Sequence, residues 1–251
     1  MSEEFITTDR FVDPKIAAAP PITDPERELN KPEISEPRVP PEPLPEAEME
    51  PSLLRQIQHL ISQYVKQGFR VTLLEALDQL HRRFLGTPLL RFSRLAENLH
   101  LGGQYNRRGW KILRDERGVD AVVNLRAEFN ENEHGFGPDA ENYCYLPTPD
   151  GFAPSIKDVH IGVGFIRQQI EQGDSVYVHC WEGVGRAPTL MAAYLVSTGM
   201  TPSEAWGKLK ALRPFIRPSP AQLWVVDQFA YEWGQQEQPG LSEQLSAEQP
   251  A

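Results

Sequence analysis

One stretch restricts the fold of this chain more than any other: Val176-Tyr177-Val178-His179-Cys180-Trp181-Glu182-Gly183-Val184-Gly185-Arg186. Its start reads as a buried strand, its two glycines as a turn, and the apolar run that follows as a helix. A strand that feeds through a tight turn into a helix is half of a β–α–β unit. The surrounding chain must then supply partner strands and covering layers. From Pro88 onward it does. Strands are predicted over residues 98–101, 119–125, 143–146 and 175–180. Helices are predicted over 104–117, 155–172 and 186–197. Two more helices start at Thr201 and Ser219, the last running to about Trp233, each opened by a cap and a proline. Residues 127–141 read as a polar loop. The fold class is α/β, with a largely parallel sheet.

The remaining sequence has a different character. Residues 1–50 carry 13 acidic and 5 basic side chains and 10 of the 23 prolines, without an apolar period. They read as a disordered acidic tail, and the composition favours solvation over a Pro-rich docking ligand at Val39-Pro40-Pro41-Glu42-Pro43. Residues 235–251 read as a second acidic tail. Most of the net charge of −10 sits in these tails, which argues against a nucleic-acid partner. Residues 51–87 predict a helical hairpin. Leu53, Leu54, Ile57, Leu60, Ile61, Tyr64 and Val65 form one apolar stripe, and Gly68 interrupts it. Thr72 and Glu75 read as a capping box before a second stripe of Leu73, Leu74, Leu77, Leu80 and Phe84. That stripe needs cover. Packing on the following domain is favoured over a partner surface, although a partner contact through residues 51–85 stays open. Residues 88–234 then form the main domain.

Two cysteines rule out a disulfide framework and a four-cysteine zinc site. They fit a reducing compartment, so a cytoplasmic location is expected. No apolar run reaches membrane-spanning length, and the acidic start, residues 1–10, predicts no secretory signal. His100, His134 and His160 show no ligand spacing, so neither a metal nor another cofactor is expected. Cys144, in a strand, reads as a buried thiol rather than a regulatory disulfide partner of Cys180.

The frame His179-Cys180, five residues, Arg186 is expected by chance in fewer than about 0.005 copies in a chain of this composition. Each part has a physical task. A loop opening a helix turns several N–H groups toward one point, and the helix dipole adds positive potential. Trp181, Glu182, Gly183, Val184, Gly185 and Arg186 would line such an oxyanion cradle. Gly183 and Gly185 permit positive φ and close approach. Arg186 can grip two oxygens with its planar fork. The same field favours a thiolate at Cys180, a nucleophile. His179 reads as an orienting group rather than the base. An acid is needed for the leaving oxygen, and Asp150, in the loop after the neighbouring strand, is the candidate. Asp158 and Asp139 are weaker ones, Asp158 belonging at a helix N-terminus.

The run His179–Arg186 resembles the phosphate-binding loop of cysteine-dependent phosphatases, and Ala187-Pro188-Thr189-Leu190-Met191-Ala192-Ala193-Tyr194-Leu195 resembles their dual-specificity branch. Asn98-Leu99-His100-Leu101-Gly102-Gly103-Gln104, Val122-Val123-Asn124-Leu125-Arg126 and Arg213-Pro214-Phe215-Ile216 agree with it. The resemblance covers about residues 88–234. It implies a metal-free phosphatase domain with a five-stranded sheet and a phosphocysteine intermediate. Cys180 would be the nucleophile, Arg186 the phosphate clamp and Asp150 the general acid. Two positions depart from the pattern. Ala187 stands where the family has Ser or Thr, whose hydroxyl helps the sulfur leave; breakdown of the phosphoenzyme would slow unless Thr189 or water compensates. Plant glucan phosphatases share the Arg-Ala-Pro order. Glu182 stands where most members have Ala, and its carboxylate is expected outside the cradle, on loop groups or cations.

By the same resemblance, a domain of about 150 residues, short beside the tyrosine-only branch and without an Asn-Arg-Tyr-type recognition loop, implies a shallow cleft open to phosphotyrosine and to phosphoserine or phosphothreonine. The variable loop positions carry no Lys or Arg, which favours a phosphoprotein over a polyphosphorylated lipid. Trp181 fits stacking on a substrate ring and packing on the acid loop equally, and Arg217 reads as a helix-edge cation. The leading expectation is a dual-specificity protein phosphatase. The alternatives are a glucan or phospholipid phosphatase on the same loop, and a phosphate-binding module with weak turnover.

Overall fold

A computed structural model of the chain describes residues 68–236. The elements are α1 (Phe69–Leu85), β1 (Arg94–Ala96), β2 (Leu99–Gly102), α2 (Arg107–Lys111), β3 (Ala121–Arg126), β4 (Tyr143–Thr148), α3 (Ile156–Gln172), β5 (Val176–His179), α4 (Arg186–Ser197), α5 (Pro202–Leu212) and α6 (Pro220–Gln236). The five strands form one sheet in the order β1-β2-β5-β3-β4. β2, β5, β3 and β4 are parallel, and β1 runs antiparallel on the edge. The sequence gives no sign of β1, because three residues with one arginine carry too little period to register.

Strand alternation assigns the two faces. Ala121, Val123 and Leu125 of β3 and Val176 and Val178 of β5 join the larger core, with Val159, Val163 and Ile166 of α3 and the buried side of α4. Val122 and Tyr177 point the other way, onto Tyr105, Trp110 and Leu113. The same alternation sends Cys180 to the α4 side and leaves His179 among Tyr105 and Tyr177, with ring centroids 5.1 and 5.6 Å away. All twelve residues of α4 are buried, which explains why its sequence is mostly apolar, with Arg186, Thr189 and Ser197 as exceptions.

Helix starts follow local chemistry. Ser155 Oγ accepts from the Asp158 amide at 3.1 Å, Thr201 and Glu204 close a capping box, and Ser219 Oγ accepts from the Gln222 amide at 3.3 Å. The predicted helix over 104–117 is shorter, because Asn106 caps it at Arg107 and it widens into a π turn at Ile112–Glu116. Among the described residues no helix is long and apolar enough to cross a membrane.

α1 departs from expectation twice. It begins at Phe69, so Thr72 lies inside it and donates back to the Gly68 carbonyl, and Glu75 is no capping residue. Its inward face is the polar one: Glu75 and Asp78 are buried, whereas Leu73, Leu77, Leu80 and Phe84 are exposed. The acidic residues have arginine partners on the main domain, Arg217 and Arg213, and these ion pairs fix which face turns inward. The predicted first helix of the hairpin, the N-terminal tail and the C-terminal tail from residue 237 on lie outside the described residues, while residues 235–236 end α6.

Candidate active site

β5 ends at His179 in the middle of the sheet, and the chain turns through residues 180–185 into α4. Gly183 adopts φ +70°, and a Cβ there would sit 2.4 Å from the Gly102 carbonyl, so this position requires glycine. Gly185 does not follow the expectation of positive φ: its φ is −131°.

The carbonyls of residues 181–185 are all engaged, the last of them by the helix that the loop opens. Trp181 O accepts from Arg82 Nη1 at 2.8 Å and from the Gln104 amide at 3.0 Å. Glu182 O and Gly183 O accept from Arg213 Nη2 and Nε at 3.1 and 3.2 Å. Val184 O takes the Arg217 amide at 3.0 Å, and Gly185 O takes the amide and hydroxyl of Thr189 at 3.0 and 2.9 Å. In a planar trans peptide N–H and C=O point in opposite directions. Five carbonyls so engaged therefore direct the amides of residues 182–186 to the other side, as an anion cradle requires. The Thr189 hydroxyl backs the loop.

Arg186 is buried beneath two carboxylates. Its Nη1 lies 2.9 Å from Glu128 Oε2 and 2.7 Å from the Thr148 carbonyl. Its Nη2 lies 3.0 Å from Glu128 Oε1 and 2.7 Å from Asp150 Oδ1. Burial opposes the guanidinium's charge, but Glu128, Cys180 and Asp150 outweigh it and raise the Arg186 pKa. Burial likewise opposes the charge on Glu128, and Arg186 more than compensates, holding that carboxyl below its usual range. Asp150 has a side chain 78% exposed and reaches Arg186 from the turn after β4. The structure thus brings Cys180, Arg186 and Asp150 together. Asp158 lies apart at the start of α3, bonded to Ser155, and Asp139 is exposed in the loop before β4.

His179 is fully buried, and burial pushes its pKa down. Its Nδ1 lies 3.4 Å from the Cys180 carbonyl, and its Nε2 lies 3.8 Å from Glu131 Oε1. Glu182 turns away from the cradle, with Gln79 Nε2 at 3.1 Å and Arg217 Nη2 at 3.6 Å. Burial and the Glu75 charge raise its pKa. Arg217 is no free cation at the cleft, because both of its terminal nitrogens bind Glu75 at 2.8–2.9 Å. Trp181 stacks on the Arg126 guanidinium at 4.9 Å. Beside it opens a cavity of about 510 Å³, lined among others by Gln79, Arg82 and Arg83 of α1 and by Arg126, Phe129 and Trp181. Cys144 and Cys180 are free thiols. Val123 pairs with Cys144 on one side and Val178 on the other. Two strand spacings, about 10 Å, separate those positions, beyond the roughly 7 Å Cα limit for a disulfide.

Sequence reasoning missed Glu128. Its one available signal is position: it follows β3, the strand beside β5, at the carboxyl end of the sheet where ligand loops gather. It also missed α1's part in the loop, which carries no local signature.

Comparison with known proteins agrees with this geometry. Residues 102–200 match the family described as "Polymorphic toxin system, DSP-PTPase phosphatase". The phosphatidylglycerophosphate phosphatase PTPMT2 of Arabidopsis thaliana is 38% identical over 90 residues, 35% of this chain and 40% of that protein. The tyrosine-protein phosphatase CDC14 of Saccharomyces cerevisiae is 32% identical over 108 residues, 43% of this chain and 19% of that protein. This chain therefore spans well under two thirds of the length of these relatives. The crystal structure of PTPMT1 in complex with PI(5)P superposes with a TM-score of 0.51 at 26% identity, over 57% of this chain and 97% of that one.

Proposed function

Because the chain belongs to the cysteine-based protein tyrosine phosphatase superfamily, we propose that it hydrolyses phosphate monoesters through a phosphocysteine intermediate. The observation that carries this reading is the convergence of Cys180, Arg186 and Asp150 on a loop whose carbonyls at residues 181–184 are tied outward. Monoester oxygens would take the amides of residues 182–186 and the Arg186 fork. Asp150, exposed and on a turn, swings off the guanidinium to make room. The Cys180 thiolate attacks phosphorus as the ester P–O bond breaks, and Asp150 gives its proton to the departing oxygen. Water then attacks the phosphocysteine, Asp150 takes its proton, and the S–P bond breaks to restore the thiolate.

The first substrate reading is a phosphorylated protein side chain. The variable loop positions offer no free cation, and Glu182 is held outside the cradle. A second reading, a phospholipid headgroup, is favoured by relatives named as phosphatidylglycerophosphate phosphatases. The test is turnover of an aryl phosphate with trapping of the phosphoenzyme. Wild type is expected to turn over, and Cys180→Ser to be inactive. Asp150→Ala should lose far more rate on alkyl phosphates than on aryl phosphates with good leaving groups; equal losses would remove Asp150 as the acid. Phosphopeptides against phosphatidylglycerol phosphate then separate the two substrate readings.

A further inference from the structure

α1 precedes the segment that the family description matches, residues 102–200, yet its inward face is built around the phosphate loop. Arg82 supplies a donor to the Trp181 carbonyl directly. Asp78, 1% exposed, holds Arg213 at 3.1 Å and the Leu89 amide at 2.9 Å, and Arg213 donates to the carbonyls of Glu182 and Gly183. Glu75 holds the side chain of Arg217, whose backbone amide serves Val184. Four successive loop carbonyls are thus held by donors that α1 either supplies or anchors.

Thermodynamics sharpens the point. Buried ion pairs add little to stability, because desolvation offsets their attraction. α1 nevertheless buries Glu75 and Asp78, leaves Leu73, Leu77 and Leu80 outside and only half-buries Leu74 and Leu85. Apolar burial, the ordinary reason for docking a helix, is not what this face supplies; what it supplies is fixed geometry at the loop. A Cβ on Gly103 would lie 2.6 Å from Arg82 Nη1 and 2.9 Å from Trp181 O, so the glycine there leaves the room that this contact occupies.

Resting on the phosphatase reading above, we propose that α1 belongs to the catalytic apparatus, with Arg82 and Asp78 as positioning residues that set the loop's affinity for an oxyanion through the carbonyls of residues 181–183. Neither touches the substrate. Each acts by keeping the following amides turned into the cradle.

The test uses the full chain and inorganic phosphate as the probe. Arg82→Met keeps the stem and removes the donor; Arg82→Lys keeps a charge and a donor. Asp78→Asn keeps the shape and an acceptor for Arg213. Phosphate affinity by calorimetry and the pH midpoint of Cys180 alkylation by iodoacetate are read beside the melting temperature. Arg82→Met is expected to weaken phosphate binding about tenfold, the size of one hydrogen bond to a charged group, and to move the alkylation midpoint upward. Arg82→Lys should recover most of both, and Asp78→Asn should change both in the same direction as Arg82→Met. Unchanged affinity and midpoint in folded variants, with only the melting temperature lowered, would make α1 a structural strut and overturn the proposal. The phosphatase reading fails differently: wild type itself would then bind no phosphate.

Discussion

Glu128 and Ala187 bear on the two ends of the reaction. Glu128 grips both terminal nitrogens of Arg186, so the orientation of the fork depends on a loop residue without regular structure. Removing it leaves a buried guanidinium partly unpaired, held only by the Thr148 carbonyl and Asp150 and so less firmly oriented. Glu128→Ala is expected to lower kcat/KM for an aryl phosphate by about 10²-fold, the cost of misplacing a binding group by about 1 Å. Glu128→Gln should lose less, since it keeps shape and one acceptor. Steady-state kinetics check this, and an Ala variant with wild-type kcat/KM would contradict it. Ala187 is buried at the first turn of α4 and offers no hydroxyl to the departing sulfur, and Thr189 spends its own on the Gly185 carbonyl. Breakdown of the phosphoenzyme should therefore be slow. Ala187→Ser is expected to raise the steady-state rate and shrink the pre-steady-state burst; an unaltered burst would place the slow step elsewhere.

α4 joins the site to the core. It begins at the phosphate clamp, and every residue to Ser197 is buried. Leu190 sits against Gly162 of α3, where even a Cβ would come within 2.7 Å of its methyl group. Leu190→Ala should open a cavity there and cost about 3 kcal/mol, read from urea melts; a loss below about 1 kcal/mol would mean that α3 collapses into the space. The helices differ in how plainly the sequence announces them. Those starting at Ser155, Thr201 and Ser219 are legible because capping joins residues three apart. α1 is legible as a helix but not in its orientation. Its apolar stripe implies an inward leucine face, while the contacts that decide the matter, Asp78 with Arg213 and Glu75 with Arg217, cross 135 and 142 residues. Glu128 escapes notice for the same reason, its partner lying 58 residues on. Sequence periodicity reports local burial; it carries no record of which distant charge waits on the other side.

Across the whole molecule, the layer behind the sheet holds histidines that the fold keeps neutral. His100, in β2, is buried; that burial, with the charges of Arg94 and Arg117, pushes its pKa down to about 4. His179 is shifted in the same direction, again chiefly by burial. The unfolded chain takes up these protons near pH 6.5, and the folded chain does not until lower pH. The unfolded state therefore binds more protons as pH falls through this window, so stability is fully present above about 6.5 and is lost on the way down to about 4. The shift at His100 alone corresponds to roughly 3 kcal/mol when fully expressed. Between pH 6.5 and 5 most carboxylates are still ionised, which makes this the interval where histidine dominates. Melts of wild type and His100→Gln across it should show a steep fall for wild type and a shallower one for the variant, whose residual slope belongs to His179. Parallel curves would mean that His100 is protonated in the folded protein, and that its strand, two residues before the turn backing the phosphate loop, admits water.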